Sequence, residues 1–336
     1  MTDIEKNIKK EFGDNVVVDG NFIINSPHIV IPFSPNIDII TGGGIQEGTF
    51  VTVIGPDKCG KTTSVLTFLA NCQKPEYGGE LCPEGRDVYY YNIEGRLRSR
   101  DLLGIEGLDP NKIHIIQSRI GKILTAEDYL QIGLQYIKAK PGSVHFFDSY
   151  SELSTNKEQV SDMDKMQMAE VAKLLAKFCR QLSGTISTNR NIIIGVIQLM
   201  GNPSPFQASI VEKSGNAVKY KVDVKLRAKK HTPWMSGESQ IGQIVTWQCL
   251  TSNLTNPNKS IDSYIRYGTG IDKMYELIQF ASDIGVIEKT AKGGWHTLSF
   301  MENPEKIQGG DNVRKFMVDN PEVYNLLEKS VRDLLT

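Results

Sequence analysis

The chain has 336 residues, 40% of them apolar and 23% charged, with a formal net charge of −1. This is the balance of a globular protein with one large domain and room for a smaller one. It excludes a basic surface over the whole chain, so any nucleic-acid contact must be a local patch. No apolar run reaches the length of a membrane span, and the start Met1-Thr2-Asp3-Ile4-Glu5 lacks a secretory signal pattern. The five cysteines, Cys59, Cys72, Cys82, Cys179 and Cys249, are scattered and odd in number. Reduced thiols and a cytoplasmic location are therefore expected.

Ile4, Ile8 and Phe12 recur at helical spacing and predict a short amphipathic helix, too short to stand without a surface to pack on. Val16 to Pro35 reads as an extended, proline-bearing segment. Gly42, Gly43 and Gly44 then lead to an apolar run, Phe50 to Ile54, that stops at Gly55. The residues that follow, Gly55-Pro56-Asp57-Lys58-Cys59-Gly60-Lys61-Thr62-Thr63, fit G-x-x-x-x-G-K-T between a strand and an apolar-faced helix. That is the context a P-loop requires. Gly55 and Gly60 let successive N–H groups turn toward a phosphate chain, and the helix start adds its positive dipole end. Lys61 is placed to reach the β- and γ-phosphates and Thr62 to offer a hydroxyl to Mg²⁺. Cys59 reads as a small loop residue whose N–H matters more than its sulfur.

Lys74 to Asp87 is rich in proline, glycine and charge and predicts a surface loop. Val88 to Ile93 is a strand of buried type ending at Glu94, and Ile113 to Ile116 is another strand. Ala126 to Ala139 has helical periodicity. Val144 to Phe147 is an apolar strand tipped by Asp148. Met168 to Leu182 is a strongly amphipathic helix, and Asn191 to Ile197 a further buried strand tipped by Gln198. Strands alternating with helices imply a mostly parallel sheet covered on both faces, with its ligand site at the strands' carboxyl ends. Gly55, Glu94, Asp148 and Gln198 all fall there. Asp148 suits a carboxylate that holds Mg²⁺, Glu94 a general base for an attacking water, and Gln198 an amide that senses the γ-phosphate.

The chain resembles the RecA-type recombinases from about Asn36 to Thr336. The resemblance is carried by the phosphate loop, by Asp148-Ser149 and by the run Lys173 to Leu182. It is carried further by Gly215-Asn216-Ala217-Val218-Lys219-Tyr220, Tyr267-Gly268-Thr269-Gly270-Ile271 and Gly285-Val286-Ile287-Glu288-Lys289. The tail from Asp319-Asn320-Pro321-Glu322 to Val331-Arg332-Asp333-Leu334-Leu335 adds to it. The fold implied is α/β: a RecA-like P-loop ATPase core with a short N-terminal helix and a small α+β C-terminal domain. The implied boundaries are 1–35 for the N-terminal helix and oligomerisation segment, 36–268 for the core and 269–336 for the C-terminal domain.

The resemblance implies a DNA-dependent ATPase that forms a helical filament on single-stranded DNA and exchanges strands with homologous duplex. It places ATP and Mg²⁺ between neighbouring subunits. Glu94, Lys61 and Gln198 become the catalytic set, Thr62 and Asp148 the metal ligands, and Tyr267 the aromatic residue near adenine. The DNA-binding loops fall at about Val160 to Gln167 and Leu199 to Ser214, and Met168, Lys173, Arg180, Met200, Phe206, Gly215 and Asn216 become the DNA-facing residues. Lys173 and Arg180 lie seven residues apart, on one helix face. A ring-forming hexameric helicase of RecA fold and a RecA-like mediator with weak ATP turnover are the alternatives.

Several positions depart from the family pattern. The first loop has Ser161 and Asp164 in place of glycines, and the second has Met200 and Asn202 in place of basic residues. An arginine cluster, Gly95-Arg96-Leu97-Arg98-Ser99-Arg100, follows Glu94. It reads either as a solvated face or as a phosphate or DNA contact. Bacterial members reach into the neighbour's ATP site with two lysines, whose positions fall here on Thr251 and Asn253. Two outcomes are then expected: a substitute cation from the neighbouring subunit, with Lys259, Lys219 and Lys213 nearest in sequence, or intrinsically slow hydrolysis. The compact, divergent form fits a phage-encoded member.

Overall fold

The computed structural model describes residues 3–13, 16–26, 28–160, 168–201, 210–212, 218, 221–290 and 293–335. Its centre is a ten-stranded sheet. Five strands run parallel to a neighbour on one side of it: Phe50–Gly55, Ile192–Gly201, Val144–Asp148, Val88–Asn92 and, at the edge, Ile113–Ile116. On the other side Val224–Ser236 joins Phe50–Gly55 in parallel and then opens an antiparallel arm. The arm contains Ser239–Thr251, Ser260–Arg266 and Gly270–Ile271. The parallel core matches the alternating strand and helix pattern. The arm follows from two long strands, Val224–Ser236 and Ser239–Thr251, joined by a tight turn.

Every residue of Phe50–Gly55 is buried, because helices cover both faces. The strand's period of two divides its side chains between two cores. Val51 and Val53 pack with Leu66, Phe68 and Leu69 of the helix Lys61–Cys72. Phe50 and Ile54 pack on the opposite face with Phe147, Leu175 and Phe178. The helix Ala126–Ala139 on that face starts at a reciprocal cap, in which Thr125 Oγ1 accepts from Asp128 N and Asp128 Oδ2 accepts from Thr125 N. Those bonds hold the Asp128 carboxyl below its usual range.

A third apolar cluster lies within 277–331, under a three-stranded antiparallel sheet, Glu288–Lys289, Trp295–Thr297 and Lys306–Gln308. It is tied to the core by charged groups. Glu276 accepts from Asn36 N at 3.1 Å and from Tyr264 N at 3.1 Å, and Asp272 takes both Arg266 and Arg314, at 2.5 and 2.6 Å.

Two expectations need correction. Val16 to Pro35 is not simply extended. It contains a helix, Gly20–Ile24, started by Asp19 Oδ1 accepting from Phe22 N, and a short strand, Val30–Ile31, paired with Ile45–Gln46. Pro35 opens the helix Pro35–Thr41, where its missing N–H costs nothing. The segment Lys74 to Asp87 is not wholly a surface loop, because Arg86 is fully buried and paired with the buried Glu47. Arg190 reaches the same carboxylate at 3.3 Å. Such a segment reads as solvated in sequence; here Arg86 supplies a buried cation to a distant carboxylate.

Candidate nucleotide site

The phosphate loop takes its shape from Gly60, which has φ of +78°. That φ strains any side-chain-bearing residue, and a Cβ there would also stand 2.4 Å from Ile265 Cδ1 and 2.6 Å from Gln243 Nε2, so glycine is favoured. The helix Lys61–Cys72 begins at the next residue, so its N-terminus, with its free N–H groups, lies at the cavity that Lys61, Thr62 and Thr63 line. Lys61 is buried, and its Nζ donates to Gly55 O at 3.1 Å and Pro56 O at 2.5 Å. Cys59 is fully buried with its Sγ 3.8 Å from Lys61 Nζ, and burial pushes its thiol up.

Strand register brings the other groups to this end of the sheet. Gly55 pairs with Gln198, and Asn92 with Asp148. Beyond Asn92 the chain is pinned, since Ile93 N and Glu94 N both donate to Asp148 O, at 2.9 and 3.1 Å. Asp148 Oδ2 accepts from Thr62 Oγ1 at 2.9 Å and from Tyr90 Oη at 2.6 Å. Burial pushes the Asp148 carboxyl up to about 6, against the pull of the Tyr90 and Thr62 hydroxyls. Glu94 Oε1 accepts from Gln198 Nε2 at 3.3 Å, and its Oε2 lies 3.6 Å from Arg96 Nη1.

These side chains enclose one cavity of about 430 Å³. Residues 57–63 of the phosphate loop line it together with Glu94, Arg96, Asp148 and Gln198. Tyr267 also lines it, and Gln240 Nε2 donates to its hydroxyl at 2.7 Å. A second cavity of about 400 Å³ adjoins the first and shares Thr63, Gln243 and Tyr267 with it. Thr62 and Asp148 would hold a Mg²⁺ ion, since a hydroxyl and a carboxylate, both oxygen donors, already meet there.

Sequence reading misses two members. Tyr90 reaches Asp148 from the neighbouring strand, and no local pattern marks it among three consecutive tyrosines. Gln243 comes from the antiparallel arm, which no motif announces. Thr251 lies at the opposite end of Gln243's strand, and Asn253 lines a separate cavity of about 450 Å³ beside Gly48 and Asp223. Lys259 is exposed near that same end, where its carbonyl accepts from Cys249 N.

The candidate DNA-contact residues are only partly placed. On the helix Met168–Leu182, Lys173 and Arg180 are exposed, while Leu175, Phe178, Cys179 and Leu182 are buried. The side chains of Met168 and Met200, and Phe206, Gly215 and Asn216 entirely, lie outside the described residues, as do Lys213 and Lys219. The strand carrying Gln198 runs on to Gly201, directly into the expected second loop.

Comparison with known proteins agrees with this architecture. The RecA N-terminal domain family matches residues 1–272. RecA of Thermotoga neapolitana is 28% identical over 98% of this chain and 90% of its own length. RecA of Xanthomonas euvesicatoria pv. vesicatoria is 27% identical over 97% of this chain and 90% of its own length. Among the described residues no helix is long and apolar enough to cross a membrane. With a P-loop core, an antiparallel arm and a separate carboxy-terminal cluster, matched over nearly the whole length, the chain belongs to the RecA family.

Proposed function

We propose that the chain is an ATP-dependent DNA recombinase that assembles as a helical filament on single-stranded DNA and exchanges strands with homologous duplex. The observation that carries this is the contact between Gln198 and Glu94. It joins the candidate base to the strand that leads straight into a candidate DNA loop, so DNA and nucleotide can bias the same element.

At the phosphate end, Lys61 neutralises the β- and γ-phosphates and the loop N–H groups hold the chain of phosphates. Mg²⁺, when bound at Thr62 and Asp148, withdraws charge from the phosphate oxygens. Glu94 takes the proton from the attacking water, and Gln198 fixes the orientation of the carboxylate. Tyr267 lies against the base. Lys173 and Arg180 present two positive charges to DNA phosphates from one face of their helix.

Filament assembly needs a surface to bind a second subunit, and the described residues of the single chain include apolar side chains left uncovered in two places that suit this. In the amino-terminal segment Ile4, Phe12, Phe22, Ile23 and Ile24 are more than half exposed. Beside the edge strand Ile113–Ile116, Ile120 and Ile123 are also exposed. Docking of one on the other between copies buries both and covers an open sheet edge. The test combines ATP hydrolysis with and without single-stranded DNA and negative-stain images. Filaments with DNA-stimulated turnover support the recombinase. Closed rings point to a helicase, and DNA binding without turnover points to a mediator.

A further inference from the structure

We propose that Arg96 is a catalytic cation acting in cis. Its guanidinium contacts the terminal phosphate of the nucleoside triphosphate held by the same subunit's phosphate loop. The inference rests on reading the cavity as a nucleotide site.

Arg96 lines the phosphate compartment with Lys61, Thr62, Glu94 and Asp148. Gly95, with φ of +65° and open space where a Cβ would stand, folds the chain back so that Arg96 returns toward Glu94. The other two arginines of the cluster lie elsewhere: Arg98 donates to the carbonyls of Gly95 and Leu97, and Arg100, 3.6 Å from its neighbour Asp101, lines the adjoining cavity. Only Arg96 of the three lines the compartment that holds the catalytic carboxylate.

The cavity's charges make the case chemically. Asp57, Glu94 and Asp148 line it together with Lys58, Lys61 and Arg96. Lys58 and Lys61 belong to the phosphate loop, so Arg96 is the lining cation that stands beside Glu94. A terminal phosphate arriving there meets two carboxylates, and an arginine fork is suited to bridge it. The Arg96 side chain is 79% exposed, so its pairing with Glu94 is weak and open to exchange. Glu94 is held by Gln198 on one oxygen, with Arg96 near the other. When Arg96 moves to the phosphate, one oxygen of Glu94 is freed to accept a proton. Water then attacks the γ-phosphorus, the bond to the β,γ-bridging oxygen breaks, and the water's proton passes to Glu94. The products are the diphosphate and inorganic phosphate, while Arg96 stabilises the charge spread over the transferring oxygens.

The test uses Arg96→Ala and Arg96→Lys in the full chain; the side chain is exposed, and melting curves check that both variants fold. Binding of the Mg²⁺ complexes of AMP-PNP and of ADP is measured by calorimetry, and phosphate release is measured with single-stranded DNA. An arginine at a transferring phosphoryl group is worth ~10³–10⁵ in turnover, and for one this exposed we expect roughly 10²-fold. Arg96→Ala should weaken AMP-PNP about tenfold while leaving ADP within about twofold, since only the former has the third phosphate. Arg96→Lys should recover part of both losses. Equal effects on the two nucleotides, or no effect on either, overturns the inference. Lys61→Ala separates this from failure of the site itself: if that variant still binds both nucleotides as the parent does, the nucleotide-site reading falls too.

Discussion

Glu94→Gln keeps the size of the side chain, and its amide oxygen can still accept from Gln198 Nε2. What it loses is the base and the pairing with Arg96. Glu94 is 17% exposed in its side chain, but its partner is 79% exposed, so the ion pair contributes under about 1 kcal/mol. The rate effect is far larger: a positioned general base contributes ~10²–10⁴-fold, which is about 3–5 kcal/mol of barrier. The variant should therefore melt close to the parent and bind ATP, yet release phosphate at least about a hundredfold more slowly with single-stranded DNA present. Filaments on DNA should outlast those of the parent. Phosphate release at the parental rate refutes the assignment of Glu94 as base. Loss of ATP binding, or a melting temperature that collapses, assigns it a structural role instead.

Three further outcomes follow from particular residues. Lys173→Ala and Arg180→Ala should each flatten the log–log dependence of single-strand affinity on salt by about 0.7, without altering sequence preference; unchanged slopes in both remove this helix from the DNA surface. Arg86→Ala leaves the buried Glu47 without its main cation, so urea unfolding should show a loss of about 3–5 kcal/mol; a loss under about 1 kcal/mol would mean the pair is not buried in solution. The Asp148 carboxyl, raised to about 6 by burial, titrates well above an ordinary aspartate. The folded state then binds its proton more tightly than the unfolded state does. The associated stability is fully present below the ordinary value near 3.8 and is lost as pH rises through about 6. Without Mg²⁺, Asp148→Asn should lack this loss, so variant minus parent stability should grow by ~2–3 kcal/mol between about pH 4 and pH 7. A difference flat with pH contradicts the burial of that charge.

The site was legible in sequence where its chemistry is written in consecutive residues or at strand tips. Gly55 to Thr63 is a local motif. Glu94, Asp148 and Gln198 each follow an apolar run whose end marks the sheet's carboxyl edge, and parallel register then aligns them. Tyr90 and Gln243 were invisible because their roles depend on which strands become neighbours. The arm that brings Gln243 was equally hidden, since strand length and pairing order are set by the whole sheet. Arg86 was misread for a related reason: proline, glycine and charge around it signal solvent, and its carboxylate partner lies 39 residues away in sequence. Gly20–Ile24 escaped because a five-residue helix with its apolar side chains exposed has no core-facing period to detect.

The central claim is most directly tested by strand exchange. A labelled single strand, Mg²⁺ and ATP are incubated with the protein and either a homologous or an unrelated duplex, and strand transfer is followed on gels. The recombinase reading predicts transfer with the homologous duplex, none with the unrelated one, and none with Lys61→Ala in either case. Unwinding of both duplexes alike, or DNA binding without transfer to the homologous partner, contradicts it.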